Sequence, residues 1–375
     1  MLQRFYLDQL DSLLKPGKVL VLYGPRRLGK TTLIREYLKR STLPYRFETG
    51  DDIRIQELLG SHCLDRLKEF AEGKQLLVLD EAHRIPGIGL ALKLLVDHVE
   101  GIRIIATGSA SFDLSGKLGE PLTGRKTTRI LYPLAQMELL AQRSRFDLRS
   151  SLEEFLLYGS YPEVLTAGSK AEKREHLDEL VGSYLLKDIL EMERFKQPRT
   201  LLNLLKLLAF QIGKDVSLSE LAGNLGIDAK TVARLLDLLE RSFVIASLPG
   251  FSRNLRKEIA KSRRYFFFDN GVRNAVIANF NPLDLRDDVG ALWENFLQIE
   301  RLKRNHYRRD PKNLHFWRTY DRKEIDLIEE SEGRIAAYEF KYGKGPVKPP
   351  RVFLEAYPKS SFTTVTPEDY LDFLL

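Results

Sequence analysis

The stretch Val19-Leu-Val-Leu-Tyr-Gly24-Pro25-Arg26-Arg27-Leu28-Gly29-Lys30-Thr31-Thr32 decides the fold. It opens on an apolar run of strand length, and Gly24 to Thr31 fit the spacing G-x-x-x-x-G-K-[ST] of a phosphate-binding loop. Gly24 and Gly29 permit the tight turn that aims the loop's backbone N–H groups inward. Lys30 can reach the β- and γ-phosphates of a nucleotide, and the Thr31 hydroxyl can hold Mg²⁺. Thr32 begins a segment of helical spacing, Thr32-Leu-Ile-Arg-Glu-Tyr-Leu, whose positive N-terminal end faces the same phosphates. Every loop position, Pro25, Arg26, Arg27 and Leu28 included, is therefore read as lining a nucleotide site, with ATP as the first ligand.

Such a site needs a metal carboxylate and a group that orients water. Gln75-Leu-Leu-Val-Leu-Asp80-Glu81 supplies both at the end of an apolar strand: Asp80 to hold Mg²⁺ through water, Glu81 to polarise the attacking water. The next apolar run, Ile102-Arg-Ile-Ile-Ala-Thr107, opens into Gly108-Ser109-Ala-Ser111, where Ser109 can sense the γ-phosphate or cap a helix. Strand-like runs near 19–23, 45–48, 76–79, 102–107 and 128–132 alternate with helical stretches, which implies a parallel α/β sheet covered on both faces. Asp80-Glu-Ala-His83 also spells a helicase box. No Q-x-x-G-R-x-G-R element or second strand series follows, so His83 is read as a neighbour of the site and not a ligand.

These motifs resemble the AAA+ branch of phosphate-loop ATPases, specifically a prokaryotic group with an uncharacterised C-terminal domain. The resemblance rests on GPRRLGKTTL at 24–33, LDEAHRIP at 79–86, ATGSAS at 106–111, LTGRKTTRILYPL at 122–134 and YGSYPEVL at 158–165. It implies an arginine that completes the site, sometimes from a neighbouring subunit, and Arg125 is the candidate.

Composition bounds the rest. The chain has 375 residues, of which 43% are hydrophobic and 30% charged, as in water-soluble globular proteins. No apolar run is long enough to cross a bilayer and the first residues lack a secretory pattern, so a cytoplasmic protein is expected. The single cysteine, Cys63, excludes an internal disulfide and a cysteine-cluster zinc site, and its helical surroundings suggest a buried thiol. Net charge is +7, yet residues 253–323 alone hold 17 Lys+Arg against 9 Asp+Glu. A regional basic excess is the footprint of a nucleic-acid surface, and double-stranded DNA is the expected partner.

Four segments are expected: a P-loop ATPase core over 1–135, a helical lid and connector over 136–197, a third module over 198–275 and a fourth over 276–375. In the third, Ser217 and Asp228 cap two helices separated by the turn at Gly226, giving helix-turn-helix spacing. Phe243-Val-Ile-Ala-Ser-Leu and Arg264-Tyr-Phe-Phe-Phe-Asp, joined by a basic loop, follow as a strand pair. The whole resembles a winged helix, which would put Lys230, Thr231 and Arg234 at the exposed start of the recognition helix.

In the fourth segment, Glu324-Ile-Asp326-Leu-Ile-Glu-Glu and Arg334-Ile-Ala-Ala-Tyr-Glu339-Phe-Lys341 read as a tight hairpin that sets Asp326 opposite Tyr338 or Glu339. Glu339 and Lys341, two apart, share a face. Two carboxylates held close call for a cation, so Mg²⁺ or Mn²⁺ on Asp326 and Glu339 is expected, with Lys341 stabilising hydroxide or developing phosphate charge. With Glu294 on the preceding helix, the order resembles the D…E-x-K site of restriction-endonuclease-like domains. The expected function is an ATPase acting as a switch or motor on nucleic acid, with a metal-dependent nuclease-like domain. The alternative is a signalling or scaffold ATPase whose C-terminal modules bind protein and cut nothing. A homo-oligomer and a protein partner both stay open.

Overall fold

Five apolar runs become β1 (Lys18–Tyr23), β2 (Tyr45–Thr49), β3 (Leu76–Asp80), β4 (Arg103–Gly108) and β5 (Lys126–Ile130). They form one sheet in the order β2-β3-β4-β1-β5, and every pairing is parallel. All of β3 is buried, as a strand covered on both faces requires. Val19, Val21, Leu77, Leu79, Ile104 and Ala106 share one core with Leu67, Leu92 and Leu95 of two covering helices, Leu64–Ala71 and Ile88–His98. By strand alternation Leu20, Leu22, Val78 and Ile105 point the other way, and they too are buried. The helix Lys30–Arg40 turns Leu33, Ile34, Tyr37 and Leu38 inward. Truncating any one of these core leucines or isoleucines to alanine costs about 2–5 kcal/mol.

The computed structural model describes residues 2–108, 122–185, 197–251, 263–319, 323–343 and 345–375. Two compact units emerge: Met1–Tyr132 with Arg241–Phe243, and Pro133–Glu240 with Val244–Leu375. Apart from Arg241–Phe243, residues 136–375 fall in the second unit. No helix among the described residues is long and apolar enough to cross a membrane.

The second unit begins with short helices between Gln136 and Glu179. Three more helices, Pro198–Phe210, Leu218–Leu225 and Ala229–Arg241, accompany the antiparallel strands β6 (Asp215–Val216), β7 (Ile245–Pro249) and β8 (Arg263–Phe267), ordered β6-β8-β7. Ser217 caps one helix by accepting the Glu220 N–H, and left-handed Gly226 ends it. The 20-residue helix Val289–Arg308 then leads into β9 (Asn313–Arg318), β10 (Glu324–Ser331), β11 (Arg334–Phe340) and β12 (Ser361–Val365), a sheet ordered β12-β11-β10-β9. β12 pairs parallel to β11, with the helix Arg351–Ala356 between them in sequence. The two sheets of this unit meet where Phe251 donates its N–H to the Phe316 carbonyl at 2.6 Å.

Two expectations need correction. Cys63 is exposed: it is the N-cap of the helix Leu64–Ala71, whose buried face is Leu67, Phe70 and Ala71, so the thiol falls outside the packed stripe. The last sheet also has a strand, β9, that the sequence reading did not name.

Candidate functional site

The phosphate loop takes its shape from glycine geometry. A Cβ at Gly24, where φ is 151°, would sit 2.1 Å from the Leu131 carbonyl oxygen, so no other residue fits without moving the backbone. Gly29 is left-handed (φ 79°, ψ 30°) and passes the chain into the helix Lys30–Arg40. Leu28 is fully buried and offers a ligand only its backbone. Buried Arg4 donates to the carbonyls of Leu28 (3.1 Å) and Tyr132 (2.6 Å), tying the loop to the chain after β5.

Lys30 is buried, and its ammonium donates to the loop carbonyls of Gly24 (3.0 Å) and Pro25 (2.8 Å). It is thus folded over the space a phosphate would fill. The Thr31 hydroxyl donates to Asp80 Oδ2 at 2.7 Å, and Thr107 donates to Asp80 Oδ1 at 2.5 Å. The hydroxyl and carboxylate expected to hold Mg²⁺ therefore touch, and this donor set suits a hard cation that keeps several waters. Glu81 follows in the left-handed region at φ 49°, ψ 37°, a conformation uncommon for a non-glycine residue. Its N–H donates to Thr107 Oγ1 at 3.0 Å. Gly50 accommodates its carbonyl oxygen, which would lie 2.3 Å from a Cβ there. Burial raises the Glu81 pKa, with Lys30 opposing and Asp80 adding to the rise.

Lys30, Thr31, Asp80 and Glu81 are brought together. Arg125 is not: it pairs with Asp97 (2.6 Å) where β5 begins, beside Val19, whereas the phosphate loop follows Tyr23. Four strand residues, about 13 Å, separate the two levels. Arg125 therefore does not complete the site of its own chain. Ser109 lies outside the described residues. Thr107, Arg4 and Gly50 escaped the sequence reading, and only Thr107, a hydroxyl ending an apolar strand, carried a signal.

A second cluster lies in the other unit. β10 and β11 pair Leu327 with Tyr338 and Ser331 with Arg334 across a two-residue turn, Glu332 and Gly333, both at positive φ. Continuing that register one step sets Asp326 opposite Glu339. A bulge between Ile325 and Ile328 against β9 falls on Asp326 and Leu327, the kind of irregularity that re-aims a side chain. Asp326 accepts the Phe340 N–H at 2.7 Å, and Lys341 pairs with Glu339 Oε1 at 2.7 Å. Glu339 Oε2 is buried and makes no hydrogen bond. Burial, and next the Glu339 charge, push the Asp326 pKa up to about 7. Burial and Asp326 likewise hold Glu294 well above the usual carboxylate range.

Arg264, which the sequence reading placed in a strand but gave no role at this site, enters the cluster from β8. Buried, it donates to Glu324 (2.7 Å) and Asp215 (3.3 Å), lies 3.6 Å from Glu294 and stacks on Phe316. Among the described residues no three His, Cys, Asp or Glu side chains are grouped to hold a metal ion. An ion here would rest on Asp326 and Glu339, with water completing its shell.

Lys230 and Arg234 are exposed on the helix Ala229–Arg241, while the Thr231 hydroxyl is engaged at 2.6 Å by the capping Asp228. The basic loop over 252–262 lies outside the described residues.

Comparison with known proteins matches three family models: an AAA domain over residues 16–140 and domains of unknown function DUF8612 over 149–283 and DUF4143 over 289–369. The uncharacterized protein Rv2008c of Mycobacterium tuberculosis is 30% identical over 344 residues, 90% of this chain and 73% of its own. An uncharacterized protein of Haemophilus influenzae is 27% identical over 353 residues, 88% of this chain and 84% of its own. Among solved structures, the Walker-type ATPase PABY2304 of Pyrococcus abyssi aligns at a TM-score of 0.49 and 17% identity, covering 74% of this chain and 96% of that one. With a phosphate loop and its acidic partners assembled inside the matched AAA domain, this chain belongs to the family of Rv2008c as a prokaryotic AAA-type P-loop ATPase.

Proposed function

We propose that the protein hydrolyses ATP and uses it as a switch or motor on double-stranded DNA, held by a winged helix and addressed by a restriction-endonuclease-like domain. In the first unit, Lys30 exchanges its two loop carbonyls for phosphate oxygens, Thr31 and Asp80 hold Mg²⁺, and Glu81 takes a proton from water. Bound Mg²⁺ supplies charge neutralisation at the phosphates. The winged-helix reading is supported by the order helix, strand, helix, helix, strand, strand over Pro198–Phe267 with the sheet β6-β8-β7.

One observation carries the nuclease-like reading. The hairpin register sets Asp326 against Glu339 with Lys341 beside them, and a buried Glu339 oxygen is left without a donor. Those residues fit a divalent cation, which would satisfy that oxygen, and Lys341 would then stabilise charge developing on a phosphodiester. Mn²⁺ binding, read by calorimetry, should be lost in Asp326→Asn and Glu339→Gln and survive in Lys341→Ala. Cleavage of duplex DNA should be lost in all three. Cleavage that persists in them removes the assignment. Metal binding without cleavage in the wild type favours a DNA-holding descendant of the fold, a reading that the Arg264 contact with Glu294 also suits.

A further inference from the structure

The turn after β3 carries a contact that hydrolysis by a phosphate-loop site does not by itself explain. Glu81 Oε2 lies 3.3 Å from His83 Nδ1, and the two side chains are only 25% and 12% exposed. We propose that His83 is a positioning residue that aims the Glu81 carboxylate at the attacking water. The inference rests on the reading of Glu81 as the water-activating group.

The backbone of Glu81 is clamped. Its N–H is held by Thr107. Its carbonyl lies against Gly50 and accepts the Arg84 N–H at 3.0 Å. Those contacts fix where the Cα–Cβ bond points and leave the three side-chain torsions open. A glutamate with free torsions spends most of its time in unproductive rotamers, and small misplacements of a catalytic group cost large factors in rate. Lys30, Arg26 and Arg84 act on the carboxylate through their charge, while Lys30 also donates to the loop carbonyls and Arg84 pairs with Asp51 at 2.7 Å. A point charge attracts the carboxylate without fixing its rotamer. His83 sits on the short 3₁₀ turn Ala82–Arg84, rigid enough to hold a ring in place. At 3.3 Å the pair is longer than a good hydrogen bond, and catalytic hydrogen bonds tighten when substrate arrives.

The test is steady-state ATP hydrolysis by the full chain, together with binding of a fluorescent ATP analogue and a thermal melt. His83→Ala should lower kcat by roughly 10- to 100-fold while KM and analogue affinity move by less than about threefold, because aim is lost and phosphate binding is not. His83→Asn, whose amide N–H can stand near the place of Nδ1, should restore kcat to within about fivefold of the wild type. An unchanged kcat in His83→Ala overturns the proposal. So does a parallel fall of kcat and analogue affinity in both variants, which would mark a structural role. Should His83→Ala melt early, the Asn and Gln variants decide: Gln carries its amide one carbon too far, so equal turnover in the two also overturns it. Glu81→Gln separates the two claims. Normal turnover there removes the underlying reading, whereas a dead Glu81→Gln beside a normal His83→Ala removes only the role of His83.

Discussion

Gly24 works through an atom it lacks. With 2.1 Å between a would-be Cβ and the Leu131 carbonyl, Gly24→Ala must shift either the loop or the chain after β5, so it weakens nucleotide binding without touching a charge. Lys30→Ala leaves the backbone in place and deletes the charge that meets the phosphates. ATP-analogue titration should show tight binding abolished in Lys30→Ala and weakened in Gly24→Ala. Glu81→Gln should keep binding and lose roughly 10²- to 10⁴-fold in turnover, read by phosphate release. Undiminished turnover in Glu81→Gln would move the water-activating role to another group. Lys30, Thr31, Asp80 and Glu81 could be named from sequence because motif spacing ties each role to a position. Arg4 and Gly50 could not, since each acts through a partner far along the chain, Arg4 on Leu28 and Gly50 on Glu81. Thr107 carried a signal as a hydroxyl ending an apolar strand, but its partner Asp80 is equally distant in sequence.

Helices and strands follow the same division between local and long-range causes. The β10–β11 hairpin was legible because its turn, Glu332-Gly333, tolerates positive φ and fixes the register. Strand β9 and the bulge opposite it were not, because a bulge exists only in the pairing of two strands. The long helix Val289–Arg308 illustrates the long-range kind. Asp288 at its N-cap accepts from Arg286 (2.7 and 2.8 Å) and from Arg273 (2.5 Å) on the helix Asn270–Val276. Burial works to raise the Asp288 pKa, and the two guanidinium groups outweigh it, leaving the value lowered to about 2 from 3.8. A lowered carboxylate stabilises the fold above its unfolded value, and that share is lost as pH falls from about 4 toward 2. The shift corresponds to roughly 2 kcal/mol at most, since the side chain keeps some exposure. Asp288→Asn should therefore lose roughly 1–2 kcal/mol in urea unfolding at pH 7, with the gap to the wild type closing as the titration is repeated toward pH 2. A gap that stays constant with pH would assign the loss to packing or to the unpaired Arg273 instead.

Among the described residues, part of the basic excess over 253–323 is committed to ion pairs. Arg264 serves Glu294, Glu324 and Asp215; Arg273 and Arg286 serve Asp288; Arg301 pairs with Glu329, Lys303 with Glu300, Arg304 with Asp310 and Arg318 with Asp215. A charge count sees none of this, because it cannot tell a solvated guanidinium from one committed to a buried carboxylate. Paired cations release few counterions, so on the proposed DNA reading these residues should contribute less to binding than their formal charge suggests. On the proposed DNA reading, the exposed start of the helix Ala229–Arg241, with Lys230 and Arg234, is the surface to test. Replacing both with glutamate, in a protein whose melt is unchanged, should weaken duplex DNA binding at every sequence and reduce the slope of log affinity against log salt by about one unit for each phosphate contact removed. Reversing Arg304, whose charge is already met by Asp310, should leave that slope nearly where it was. If instead the slope is untouched by Lys230 and Arg234, or no salt dependence exists to lose, the helix is a protein-binding or structural surface, and the ATPase acts on something other than DNA.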